Sequence, residues 1–317
     1  MDNLTHTLTG LVLSRAGLNR WYARPALVLV VAANLPDIDI VGALGGSMTY
    51  FENHRGITHS IAMAPVLALL PMLLACAIGR TMRGWKAAYG LSLIGVASHL
   101  LLDWTNAYGV RFFLPFSARW YRLNLNNIVD LWIWGVLLIA CAGPLLGRLV
   151  SSEIGAKSGS GRGLAIFALS FLLVYDFGRY LIQQRAVELL NSRVYQGGPP
   201  LRAAAFPVGV ANPFQWSGWI ERPELAMRFS MNLLADFDPA SGQVFYQPEP
   251  SPALDAARQS PVIRKFLEFA AYPLWRVTPL ADPEGSHRVE VRDWRFPFTA
   301  SAAVDQSNHV LYSSFHF

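Results

Sequence analysis

Long apolar runs separated by short polar or basic stretches fill the first 190 or so residues, and that texture stops near residue 195. Five runs, roughly 25–44, 60–79, 86–103, 128–148 and 163–182, are long and apolar enough to span a bilayer, which takes about 20 mostly apolar residues. A further run, about 4–17, is shorter and Thr-rich and predicts a half-helix set among the others. Beyond 195, Gly197-Gly198-Pro199-Pro200, Pro248, Pro250 and Pro252 punctuate mixed aromatic and charged sequence. Alternation in 287–296 and 310–317 predicts strands, and Val262, Ile263, Phe266, Leu267 and Phe269 predict a helix within 255–272. The expected architecture is an α-helical membrane bundle of about six segments, the first short, in residues 1–185, followed by a smaller extracytoplasmic α+β or mostly β domain in residues 195–317.

Composition agrees with a lipid setting. Charged residues make up 15% of the 317 and hydrophobic ones 53%, whereas a soluble domain carries about 25% charged residues. The net charge of +5 comes without a Lys/Arg-rich run, which argues against nucleic acid as a partner and for loop anchors at a membrane. Cys76 and Cys141 lie inside apolar stretches and predict buried thiols rather than a disulfide. The start, Met1-Asp2-Asn3, lacks the basic region of a signal peptide, so it is expected to be retained. Nine basic residues (Arg15, Arg20, Arg24, Arg80, Arg83, Lys86, Arg148, Lys157 and Arg162) fall in one set of loops, and four (Arg55, Arg111, Arg119 and Arg122) in the other. That bias places the nine in the cytoplasm and the C-terminal domain outside, in the periplasm if the cell is Gram-negative.

Orientation then gives meaning to the ionisable residues. Imidazoles and carboxylates are costly in or beside hydrocarbon, and they pair, face a bundle interior or bind something. With the orientation above, His6, Asp37, Asp39, His54, His59, His99, Asp103 and Asp130 all fall on the outer side. His99 and Asp103 lie four apart, on one face of a helix, and can share a metal ion or simply hydrogen-bond. Asp37 and Asp39 would repel one another without a cation or proton between them, and Pro36 is placed to break the helix and re-aim them. In His54-Arg55-Gly56-Ile57-Thr58-His59, two imidazoles flank a turn, Thr58 can cap the next helix, and Arg55 can seat an anion. His6 alone is a weak signal; Asn126, Asn127 and Asp130 read equally well as a helix cap, and Asp176 and Arg179, one turn apart, as a pair.

The set His6, Pro36-Asp-x-Asp39, His54-Arg-Gly-x-Thr-His59-Ser60 and His99-x-x-x-Asp103 resembles the YdjM-type family of inner-membrane metal-dependent hydrolases over about the first 150 residues. That family is itself distantly similar to the zinc-dependent phospholipase C and S1/P1 nuclease fold, whose three-zinc cluster cuts phosphoesters. The resemblance implies zinc, or manganese, with Asp103 a bridging carboxylate, Asp37 the other acidic ligand, and His6 with His54 or His59, or both, as imidazole ligands. Asp39, Asn127 and Asp130 are additional candidates. Because Asn126-x-x-x-Asp130 stands where the soluble enzymes carry a second helical His-x-x-x-Glu, one or two ions are expected rather than three. The implied activity is hydrolysis of a phospholipid or lipid-linked phosphoester, with Asp37 or Asp39 handling the attacking water and Arg55 holding the substrate's charge. Two rival readings keep the same residues: an amidase or deacylase, and a non-catalytic protein with a structural metal whose outer domain binds a protein partner.

Overall fold

The structure, a computed structural model, describes residues 1–154 and 160–316; Lys157 with most of the Gly/Ser-rich stretch 155–163, and Phe317, lie outside them. Helix α1 (Asn3–Arg15) begins where the Asp2 carboxylate accepts the Thr5 N–H at 3.0 Å and the Thr5 hydroxyl at 2.6 Å, which satisfies donors that a helix start leaves open. Helix α2 (Pro25–Asn34) opens on a proline and gives way to a 3-10 stretch, Leu35–Gly45, because Pro36 has no N–H to continue the α-helical ladder. Helix α6 (Trp85–Thr105), α7 (Leu131–Ile154) and α8 (Arg162–Asn191) are the other long elements of the first half.

The membrane-segment count differs from six. Among the described residues four helices are long and apolar enough to cross a membrane, Pro25–Gly45, Trp85–Thr105, Leu131–Leu149 and Arg162–Asn191, or five if one bent pair is a single span. The run expected over 60–79 is Ala64–Gly79, made of α4 (Ala64–Leu67) and α5 (Leu69–Gly79), and the preceding Ser47–His59, containing α3 (Ser47–Asn53), meets it at 82°. The break has a local cause. Arg55 takes a positive φ of 52° and Ser60 is extended, with φ −87° and ψ 149°. At 13 residues, α1 is short, as its sequence predicts.

Two glycines set the closest helix contacts. A Cβ on Gly10 of α1 would lie 2.9 Å from the Leu29 carbonyl oxygen of α2, and one on Gly95 of α6 would lie 2.6 Å from the Ala32 Cβ. Both contacts involve the Leu29 carbonyl, so α1 and α6 meet one face of α2, whose Val28, Leu29, Ala32 and Ala33 have no exposed surface. Cys76 and Cys141 are buried free thiols.

The second half holds two four-stranded antiparallel meanders. The first runs β1 (Arg202–Pro207), β2 (Gln215–Glu221), β3 (Leu225–Asn232) and β4 (Gln243–Tyr246); the second runs β5 (Pro273–Pro279), β6 (His287–Asp293), β7 (Thr299–Val304) and β8 (Val310–His316). The helix expected within 255–272 is two helices, α9 (Pro252–Arg258) and α10 (Pro261–Phe269), each started by a serine cap followed by proline. Proline at 261 cannot lie inside a continuous helix without removing a hydrogen bond. By contacts the chain forms two units, 1–39 with 55–182 and 207–213, and 40–54 with 183–206 and 214–317. The segment 40–54 therefore leaves the helical part of the sequence: Phe51 of α3 sits among Phe269, Phe298 and Phe315, with ring centroids 5.3, 5.9 and 4.5 Å away.

Packing at Gly95 should be intolerant of any side chain. Gly95→Ala is expected to lower stability by about 1–3 kcal/mol, whereas Gly90→Ala, on the same helix with nothing within 4 Å, should be neutral or stabilising because alanine favours helix by about 1 kcal/mol. Thermal unfolding of the two variants in detergent, side by side, checks the contrast.

Candidate metal centre

The tight crossing of α1, α2 and α6 does more than fill space. His6 lies four residues before Gly10 and His99 four residues after Gly95, so each imidazole projects from the same helix face as its glycine. The two rings stack, centroids 3.8 Å apart and 19° from parallel. His99 Nδ1 lies 2.6 Å from the carbonyl oxygen of Ala33, at the end of α2. A carbonyl can only accept, so Nδ1 carries the proton and Nε2 presents a lone pair. His59 arrives from the 3-10 turn Ile57–His59, and its ring meets that of His99 edge-on at 5.0 Å.

Four side chains converge there: Asp37, His59, His99 and Asp103, whose ligand atoms all lie within 4.8 Å of one another and can hold a metal ion. His59 Nε2 is 3.1 Å from His99 Nε2. Asp37 Oδ1 is 3.5 Å from each of these nitrogens, and Asp103 Oδ2 is 3.4 Å from His59 Nε2 and 3.5 Å from His99 Nε2. A tetrahedral ion with bonds of about 2.0–2.1 Å has ligand-to-ligand edges of about 3.3–3.4 Å. Direct N–H···O hydrogen bonds run shorter, about 2.7–3.2 Å. The nitrogen–carboxylate spacings thus fit a shared cation better than a hydrogen-bonded net. Asp103 Oδ2, fully buried, has no hydrogen-bond partner.

The surrounding groups hold these four in place. His59 Nδ1 lies 3.3 Å from Asp39 Oδ2, so Asp37 and Asp39 address opposite nitrogens of one imidazole. Asp39 Oδ2 also accepts the Arg55 backbone N–H at 2.7 Å. This is the carboxylate–histidine arrangement that fixes ring orientation around bound metals. Asp103 turns its other oxygen to the Met1 amino group and, at 3.0 Å, to Arg55 Nη2. Arg55 Nη1 donates to Asn106 Oδ1 at 3.0 Å and the Gly109 carbonyl at 3.1 Å, and its guanidinium lies over the Tyr108 ring at 4.9 Å. Burial pushes the Met1 amine below its usual pKa, against the pull of Asp103. Both His6 ring nitrogens are buried without a hydrogen-bond partner, Nε2 being 3.5 Å from Asp103 Oδ1.

Several candidates lie elsewhere. His54 belongs to the other unit, where it stacks on Tyr50 at 4.8 Å. Asp130 caps α7, accepting the Trp132 and Ile133 N–H groups at 2.9 and 3.2 Å, and takes the Tyr175 hydroxyl at 2.9 Å. Asn127 donates to the Gly209 carbonyl. Asp176 accepts from Asn126 at 2.6 Å, while Arg179 donates to the Leu125 carbonyl at 2.9 Å and to that of Pro213. Backbone contributors, the Ala33 and Gly109 carbonyls and the Met1 amine, leave no mark in residue types. The four-residue spacing of Gly10 and Gly95 from a histidine is a signal the chain does carry.

Comparison with known proteins gives a family and one relative. Uncharacterized protein YfhP of Bacillus subtilis (strain 168) is 25% identical over 322 residues, covering 95% of this chain and 90% of the relative. No solved structure gives a significant match. The family described as YdjM inner membrane protein matches residues 1–186, which include every residue of the cluster, and the chain belongs to that family.

Proposed function

We propose that the protein is a membrane-bound, metal-dependent hydrolase in which Asp37, His59, His99 and Asp103 hold one divalent ion, zinc or manganese. The observation that carries this reading is the convergence of two imidazole nitrogens and two carboxylate oxygens within 4.8 Å, the nitrogens 3.1 Å from each other and 3.4–3.5 Å from the carboxylate oxygens, in a site where Asp103 Oδ2 has no hydrogen-bond partner. Such an ion supplies Lewis acidity and an activated water. The chain's own groups do the rest. Ala33 and Asp39 orient the two imidazoles, and Arg55 and the Met1 amine balance Asp103. Asp37 is the one member with exposed side-chain surface, at 16%; its second carboxylate oxygen accepts the proton of the attacking water. Because Arg55 already spends its terminal nitrogens on Asp103, Asn106 and Gly109, its part is to hold the site together rather than to seat a substrate. A site among membrane helices favours a lipid or lipid-linked phosphoester, cut at the outer face of a bacterial inner membrane with the C-terminal domain outside.

A structural metal is the second reading, and one observation favours it. Four protein ligands close a tetrahedral site, whereas catalytic zinc keeps one position open; here His59, His99 and Asp103 have no exposed side-chain surface. For the hydrolase reading, an ion held by these four residues would have to keep a position for water beside them.

Elemental mass spectrometry of the detergent-purified full chain is expected to find about one zinc or manganese ion per protein, with His99→Ala and Asp103→Ala losing it and Asp39→Asn binding it about 10–100-fold more weakly. Stably folded wild type that stays metal-free when offered both ions would end the metal reading. Release of phosphate or head group from phospholipid vesicles by loaded wild type, lost in Asp37→Asn, separates the hydrolase from the structural clip, for which chelation lowers only the melting temperature. Arg55→Met is expected to cost about 3–5 kcal/mol by leaving a buried carboxylate uncompensated; denaturant unfolding should show the larger loss after chelation, when no cation replaces the guanidinium.

A further inference from the structure

The cluster reaches the protein surface at a single member. His59, His99 and Asp103 have fully buried side chains, while Asp37 retains 16% exposure. Outside Asp37 lies a groove of about 450 Å³, walled by Val30, Val31, Leu35 and Ile38, with Asn3 and Asn34 at its sides. The walls follow from helix periodicity. Residues 30, 31, 34, 35 and 38 form one stripe, while Val28, Leu29, Ala32 and Ala33 are buried on the other face. These positions occupy the middle of Pro25–Gly45, one of the four helices long and apolar enough to cross a membrane. A helix that crosses a bilayer sets the apolar residues of its middle turns in hydrocarbon.

Its chemistry narrows the occupant. No basic residue lines the groove, so it offers nothing to an anion and much to an alkyl chain. The Asn34 amide spends its donors on Thr7 Oγ1 at 3.0 Å and the Val30 carbonyl at 2.9 Å, leaving its oxygen as an acceptor for an O–H donor. A small water-soluble phosphate would gain nothing from such walls, whereas each methylene buried there contributes about 0.8 kcal/mol.

We infer that this groove seats the acyl chain of a glycerolipid whose head group is presented at Asp37, so that the ligand reaches the metal centre sideways from the bilayer rather than from water. The head-group chemistry rests on the hydrolase reading; the groove and its occupant do not.

The test uses the full-length protein in phosphatidylglycerol nanodiscs doped with a phosphatidic acid carrying a diazirine on its acyl chain. After irradiation, peptide mass spectrometry should find adducts several-fold denser on residues 30–38 than around Leu173 and Val174 of α8, which are 75% and 70% exposed and report ordinary lipid contact. Val31→Trp, which fills the groove, and Ile38→Ser, which removes part of its wall without adding bulk, should each cut the groove adducts several-fold while metal content stays at the wild-type level. Adduct density equal to that on α8, or unchanged in both variants, would overturn the inference whatever the metal content. Dense groove labelling in a protein that binds no metal would uphold the groove and defeat the hydrolase reading alone.

Discussion

The centre exists because three helices approach more closely than side chains normally allow. Gly10 and Gly95 leave no room for a Cβ against Leu29 and Ala32, so α1 and α6 press onto α2 with backbone almost touching backbone. In a membrane, where apolar side chains gain little by leaving lipid, small residues at the interface are what make such packing favourable. The same two contacts bring His6 and His99 into a stack and set His99 against the last carbonyls of α2. One packing constraint thus fixes both the fold and the direction in which the key lone pair points.

Around that frame, the governing cost is burial of charge. Asp103 has no exposed surface and would be untenable alone. Arg55, the Met1 amine and three histidines crowd its two oxygens. Arg55 reaches it from a left-handed backbone conformation with φ 52°, a geometry that costs energy for a side chain with a Cβ and persists where its surroundings demand it. The same turn precedes the third apolar run and delivers His59, with Asp39 held between the Arg55 amide and the His59 ring. Helix break, charge balance and ligand orientation are one local arrangement.

Helix α2 joins these parts to an open apolar face. One of its faces is packed against α1 and α6, and the other carries the apolar stripe that ends at Asp37. Pro36 ends the α-helix and lets the 3-10 stretch turn Asp37 and Asp39 to the two nitrogens of His59, which a regular helix would have sent to different sides.

Much of this was legible in the residues. Apolar runs of bilayer length, the shortness of the first helix, the free buried cysteines and the Asp37, His59, His99 and Asp103 ligand types all follow from local pattern, because span length and side-chain chemistry are properties of the chain itself. The sharp bend between Ser47–His59 and Ala64–Gly79, the division of 255–272 into two helices, and the departure of 40–54 to the other unit were not. The departure of 40–54 depends on partners far along the chain, as Phe51 does on Phe269, Phe298 and Phe315, whereas the bend follows the backbone of Arg55 and Ser60 and the helix division follows the Ser260-Pro261 start, local features that apolar periodicity does not report. The site divides the same way. Sequence alone determined that histidines and aspartates had to pair or bind something if they were to sit among apolar helices. Only the tertiary structure decided that His59 and not His54 joins His99, that Asp39 stands behind the ring instead of before it, and that Arg55 faces Asp103, because those choices are made by distances between helices that no spacing within one segment encodes.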